Sequence, residues 1–392
     1  MPAPVPLEEL LRAAIDTRKA TLGLPASKNP ADHRFPLTPE GAGLLVERGF
    51  RVLMERGAAK CIHYTDEAYV ARGVELCDRR SALSCDIVVY LQAFDVSDAR
   101  EVKRGALLLT FMHTTPDDAI PLGILLQRHV IALALDRITD EHGNLPFADI
   151  LHEIDGRAAI AVASSLLADA IHGKGILLGG VAGVVPCEVM IIGSDIAACA
   201  AAQSAIGLGA MVRMFDNDVY RLREAMHRFG SSVICSAMHP KVFESALRSA
   251  DIIIATDTNT RRATIDSDLV SLMKRGVICF DLTANPGKAF PSMQVIDLDL
   301  ASPEDNDIST PARLCYINAG NAVPRTVAMA LSNTFVTMLD DILVCDGVAN
   351  ALKLNDGLRR AAFLFLSKCV NPTIARLLGV RSVDINLFLQ FS

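Results

Sequence analysis

The sequence predicts an α/β protein: two Rossmann-like, doubly wound parallel-sheet domains with a cleft between them. Three observations carry this expectation. Hydrophobic residues make up 51% of the 392-residue chain and aromatics only 5%, and the apolar runs are short and rich in Val, Ile and Leu, as strands covered on both faces require. Those runs alternate with helical spacers along most of the chain, which implies parallel crossovers. His172 to Asp218 reads as strand, tight turn, helix, strand and acid, the plan of a dinucleotide-binding βαβ unit.

The length suits two domains that each bury a core. Residues 1–20 read as a helical extension, LEELLRAAIDTRKA carrying apolar positions at helical spacing. TLGLP is a first strand, followed by a helix from about Pro39 to Arg48, the strand RVLM and the helix DEAYVARG. CDIVVYL, ALLLTFM and HVIALAL are strands with helical spacers between them. A long helix from about Phe147 to His172 leads into the βαβ stretch, after which SSVIC, ADIIIAT, GVICFDL and RLCYIN supply strands. Beyond Val323-Pro324-Arg325 a long apolar helix runs through AMALSNTFVTMLDDIL, and a mainly helical tail closes the chain.

Within the βαβ stretch, Glu188 to Ile192 is the strand, Ile196 to Leu208 an Ala-rich helix able to lie close on a sheet, and Val212 to Phe215 the second strand, ending at Asp216. The glycine fingerprint asks for Gly at its first and third positions so that backbone can approach a pyrophosphate. Here those positions are Gly193 and Asp195, with Ser194 between them and Ala198 in the sixth place. A like-charge contact at about 4 Å and an effective dielectric of about 20 costs about 4 kcal/mol, or about three decades of affinity. Asp is also among the best helix caps. Asp195 therefore either occupies the anion site from within the chain, or turns outward while Ser194 caps the helix and a dinucleotide is retained.

The totals exclude several classes. A net charge of −7 with mixed signs argues against a nucleic-acid surface. No apolar stretch spans a membrane uninterrupted, since Asp169, His172 and Lys174 break the longest candidate, and the start MPAPVPLEELL is acidic, unlike a signal peptide. A soluble, cytoplasmic protein is expected. The ten cysteines contain no CxxC pair, so they read as reduced, mostly buried small hydrophobes, with no metal site.

Five stretches carry a resemblance to the alanine dehydrogenase and pyridine nucleotide transhydrogenase family: KNPADHRFPLTPEG, LLLTFMH, GKGILLGGVAGV, FDNDVYRLRE and NAVPRTVAMALSN. Together they span roughly residues 21–390. The resemblance implies a substrate domain from residues 1–146 plus 324–392 and an NAD(H)-binding Rossmann domain from 147–323, with the site in the cleft between them. It also implies a homo-oligomer, often a hexamer, and an NAD-dependent oxidoreductase that interconverts L-alanine, or another small 2-amino acid, with its 2-oxo acid and ammonia.

Carried onto this chain, the resemblance makes Arg34 the substrate-carboxylate receiver, for which a guanidinium fork is suited. Without it, a lone loop Arg is an ordinary solvated charge. His113, at the end of an apolar strand, matches the acid/base histidine; on its own it reads rather as a hydrogen-bonded core histidine. Asn318 matches an asparagine near nicotinamide and substrate, and Asp216 matches the acid that accepts the ribose hydroxyls.

Departures from the family pattern fall on the chemistry. Gln92 stands where the family has a catalytically important lysine; it can donate a hydrogen bond but brings no charge to polarise a carbonyl. Asn285, in FDLTANPGK, stands where an aspartate faces nicotinamide and substrate amine. One cation and one anion are lost together, with Asp195 a third change. The loop TDTNTRRATI is shorter and more polar than the family's; its Arg261 and Arg262 could meet a phosphate or simply be solvated. Two functions follow: the NAD-dependent oxidoreductase with altered catalytic and cofactor positions, or a catalytically inactive relative serving as a ligand-binding or structural oligomer subunit.

Overall fold

The computed structural model describes residues 20–29, 32–256, 264–302, 313–344 and 348–389. The N-terminal helical extension and the stretch with Arg261 and Arg262 lie outside the described residues. The chain divides into two compact units, residues 1–150 with 324–392, and residues 151–323.

The first unit is built on β1 (Thr21–Leu24), β2 (Arg51–Glu55), β3 (Glu75–Cys77), β4 (Ile87–Val89), β5 (Leu107–Thr110) and β6 (Ile131–Ala134). The second uses β7 (Glu188–Ile192), β8 (Met211–Phe215), β9 (Val233–Ser236), β10 (Ile252–Ala255), β11 (Ile278–Asp281), β12 (Gln294–Asp297) and β13 (Leu314–Ile317). The tail returns to the first unit with β14 (Ala362–Phe365) and β15 (Lys368–Cys369). Among the described residues the first sheet runs β15-β14-β6-β5-β4-β1-β2-β3 and the second β12-β13-β11-β10-β7-β8-β9.

Burial follows strand position. β4, β5, β6, β7, β10 and β11 are buried at every residue, whereas the edge strands β3, β9 and β12 are largely exposed or half-buried. In the second unit, alternate residues enter different cores: Val189, Ile191, Ile252 and Ile254 join the Ala-rich helix Ile196–Gly207, while Met190, Ile192, Ile253 and Ala255 join Phe243, Leu247 and Phe290. Side chains alternate across a strand, so each sheet face is covered separately and the sheet is doubly wound.

One expectation is extended and one corrected. The mainly helical tail also carries a hairpin, because β14 pairs antiparallel with β6 and with β15. Its turn uses Leu366 and Ser367 at φ 44° and 70°, a left-handed pair that normally signals itself by Asn-Gly or Gly. The long helix is Pro146–Ala168 and stops short of His172, where Asp169 instead accepts the backbone N–H groups of Ile171 and His172.

Strand order reverses between β1 and β4 in the first unit and between β7 and β10 in the second. Crevices for ligands in open α/β sheets form beyond the carboxyl ends of strands at such switch points. Gly156 brings the helix Pro146–Ala168 close to the turn after β7, since a Cβ there would lie 2.1 Å from the Ala197 carbonyl oxygen. An exposed helical Gly→Ala change stabilises by about 1 kcal/mol. Gly156→Ala is expected to do the reverse and lower the urea midpoint, because overpacking costs about 1–3 kcal/mol; an unchanged or raised midpoint would contradict this close approach.

Candidate active site

In the first unit, Arg34, Gln92 and His113 come from the segments that follow β1, β4 and β5. The segment after β1 is braced by an ion cluster. Arg79 donates to Asp98 through Nε at 2.8 Å and Nη2 at 2.5 Å, and through Nη1 to the Ala26 carbonyl at 2.8 Å and to Glu55 at 3.0 Å. Glu55 accepts the Ala26 N–H at 2.7 Å, and Lys28 reaches Asp98 at 2.9 Å and Asp95 at 2.5 Å. Asp98 is 3% exposed, so its two cations offset a desolvation cost that a lone buried carboxylate could not bear.

At the end of that segment Asp32, buried at 8% exposure, accepts Arg34 Nε at 2.9 Å on one oxygen and Nη2 at 2.6 Å on the other. The Arg34 guanidinium lies 5.3 Å above the Phe111 ring. Burial alone would raise the Asp32 carboxyl, but the hydrogen bonds and charge of Arg34, with help from the Gln92 amide, hold it below the usual carboxylate range. Gln92 is buried, and its Nε2 donates weakly to the Arg34 carbonyl at 3.5 Å. His113 Nε2 lies 3.2 Å from the Leu91 carbonyl. A carbonyl only accepts, which puts a proton on Nε2 in this contact. His113 also lines a cavity of about 20 Å³ with Thr110, Phe111, Asp118 and Phe363, room for about one water.

In the second unit, Gly193 turns the chain after β7 at φ 115°, a conformation that strongly favours glycine. Asp195 is the N-cap of the helix Ile196–Gly207, and its carboxylate accepts the Ala198 N–H at 2.9 Å. Ser194 does not cap; its hydroxyl donates to Asp216 Oδ2 at 2.5 Å. The other Asp216 oxygen accepts the Asp218 N–H at 2.8 Å, and Asp216 is 1% exposed. Of the remaining positions in this unit, Asn318 follows β13 in a left-handed conformation and donates from Nδ2 to Asp297 at 2.5 Å. Asn285 is exposed on the loop after β11. Asp281 organises that loop by accepting the N–H groups of Thr283, Gly287 and Ala289 and the Thr283 hydroxyl.

Sequence reasoning missed Asp32, Asp297 and the Arg79 cluster. The Asp-x-Arg spacing in KNPADHR is a local signal for Asp32; Arg79 and Asp98 lie 53 and 70 positions from their partners Ala26 and Lys28 and leave none.

The residues of both units fall within matched family domains. A model of the alanine dehydrogenase/PNT N-terminal domain matches residues 23–153, and one of the corresponding C-terminal domain matches residues 159–372, more than half of the chain. The chain belongs to the alanine dehydrogenase/PNT family. It is 29% identical over 337 residues to an alanine dehydrogenase of Bilophila wadsworthia, covering 82% of this chain and 87% of that relative. It is 28% identical over 374 residues to the alanine dehydrogenase of Bacillus subtilis, covering 94% and 97%. A solved L-alanine dehydrogenase shares the fold with a TM-score of 0.80 at 24% identity, over 92% of this chain and 99% of that one. A transhydrogenase from Sinorhizobium meliloti shares it at 0.71 and 15% identity, over 90% and 99%.

For this family member the second unit's residues do not fit the implied NAD. A pyrophosphate needs the N-terminus of the helix Ile196–Gly207, where the Asp195 carboxylate sits, and a ribose needs the Asp216 oxygens, which accept from Ser194 and Asp218. Among the described residues no group of three or more His, Cys, Asp or Glu is placed to hold a metal ion, and no helix is long and apolar enough to cross a membrane.

The depressed Asp32 carboxyl has a consequence in acid. A carboxyl whose folded value lies below its unfolded value of about 3.9 contributes stability in full above that value and loses it as pH falls through the folded value. The stability difference between wild type and Asp32→Asn is therefore expected to be constant from neutral pH down to about pH 4 and to shrink below it. A difference that shrinks already between pH 7 and 5 would contradict the assignment.

Proposed function

We propose that this chain is a divergent alanine dehydrogenase-like protein that binds a small 2-amino acid or its 2-oxo acid on the first unit, without coupling that binding to NAD turnover. The observation that carries the reading is the clamped Arg34: Asp32 holds its Nε and Nη2 side while Phe111 supports the guanidinium plane. A guanidinium held side-on keeps a fixed orientation, and its end-on edge carries a second two-donor fork suited to a carboxylate. His113 offers a ring nitrogen for proton handling, and the Gln92 amide adds hydrogen bonding without charge. With Gln92 and Asn285 at the two positions that the family resemblance makes charged, the Gln92 position brings no cation to stabilise a developing oxyanion.

A second reading is an NAD-dependent oxidoreductase that interconverts L-alanine, or another small 2-amino acid, with its 2-oxo acid and ammonia. What favours it is family membership across both domains, together with Gly193 and Asp216 at their expected places in the turn and after β8. Arg34 would then hold the carboxylate, His113 the proton, and Gln92 and Asn318 would polarise by hydrogen bonds. Both readings include a cytoplasmic homo-oligomer, for which sedimentation velocity is the direct test.

Calorimetric titration with pyruvate and with L-alanine separates the readings from failure of both. Wild type is expected to bind at least one of the two, Arg34→Gln to lose about 10- to 100-fold in affinity, and Arg34→Lys to fall between them. Binding of neither acid by wild type rejects carboxylate recognition at Arg34. Oxidation of NADH in the presence of pyruvate and ammonia, above a protein-free control, rejects the first reading in favour of the second.

A further inference from the structure

We propose that the dipeptide Ser194–Asp195 fills the dinucleotide site of the second unit as an internal mimic, with an alcohol and an anion each standing where the cofactor would present the same group. This rests on the reading above that the chain does not couple to NAD, and it goes further by assigning the exclusion to two separable contacts. A dinucleotide engages a Rossmann unit at two points: its pyrophosphate takes the N–H groups at the first helix's N-terminus, and a ribose hydroxyl donates to the acid after the second strand. In this chain the Asp195 carboxylate takes the Ala198 N–H at 2.9 Å, and the Ser194 hydroxyl donates to Asp216 at 2.5 Å. Adjacent residues thus supply both partners, and the second Asp216 oxygen is satisfied by the Asp218 N–H.

The two contacts exclude the cofactor by different physics. Asp195 acts by charge, since a carboxylate and a pyrophosphate cannot share one helix terminus without repulsion on the order of three decades of affinity. Ser194 acts by competition, because Asp216 is 1% exposed and the Ser194 hydroxyl takes a place on its Oδ2. The surrounding frame does not need the dipeptide's side chains to fold: the turn is made by Gly193 at φ 115°, and the helix behind it is packed through its alanines. Removing both side chains should therefore empty the site.

The test is NADH binding by calorimetry to the full-length protein and four variants, with folding followed by circular dichroism. Asp195→Asn keeps a good cap and removes the charge, so it isolates repulsion from loss of the helix cap and remains informative if Asp195→Gly unfolds. Ser194→Ala removes only the competing hydroxyl. Wild type is expected to show no binding at about 100 μM NADH, Asp195→Asn and Asp195→Gly to gain at least about 100-fold, and Ser194→Ala alone to gain little. Ser194→Ala combined with Asp195→Asn is expected to bind more tightly than either single change. Micromolar binding by wild type overturns the proposal, as does a folded double variant no better than wild type. These outcomes leave the Arg34 titration with pyruvate or L-alanine untouched, so failure here is distinguishable from failure of carboxylate recognition.

Discussion

The N-terminus of the helix Ile196–Gly207 presents N–H groups and the positive end of a dipole, and it can hold one anion at a time. In this chain that anion is covalently attached one residue upstream. Asp195 is held by the Ala198 N–H, and the cap lies between Gly193, which turns the chain after β7, and a helix packed so closely that Gly156 meets the Ala197 carbonyl. An N-cap of this kind contributes about 1 kcal/mol to the helix. The same carboxylate would cost a pyrophosphate several times that in repulsion, so on the proposed reading a small gain in stability and a large loss of cofactor affinity come from one side chain.

The first unit repeats the pattern with the charges exchanged. On the proposed reading Arg34 is the cation that receives a carboxylate, and Asp32, two residues earlier, engages one side of it. The outcomes differ because the geometries differ. A guanidinium has more than one two-donor edge, so an internal carboxylate on one side orients it for a ligand on another. A capping Asp spends its charge on the position that a ligand anion would need. The Arg79, Asp98, Lys28 and Glu55 cluster ties Ala26 and Lys28, upstream of Arg34, to the helices Arg79–Leu83 and Val96–Glu101.

Much of this was legible before the fold was seen. Short Val, Ile and Leu runs marked the central strands because parallel strands are buried on both faces, and the β7 to β8 unit was readable from Gly193, the alanines and Asp216. The β14 and β15 hairpin was not, since Leu366 and Ser367 carry no turn signature despite their left-handed backbone. At the site, positions were legible from motif spacing and partners were not. Nothing local to Ser194 announces that its hydroxyl reaches Asp216, 22 residues on, because that contact exists only once β7 and β8 lie side by side. Asp195 was legible as an alternative, capping or outward, and the geometry of Ala198 N–H selects capping.

The most direct test is a crystal structure of the wild-type protein grown with saturating NAD and pyruvate. The account predicts the Asp195 carboxylate on Ala198 N–H, the Ser194 hydroxyl on Asp216, no dinucleotide at the turn from Gly193 to Ala198, and pyruvate against Arg34. A dinucleotide bound at that turn, with Asp195 swung outward, would contradict it.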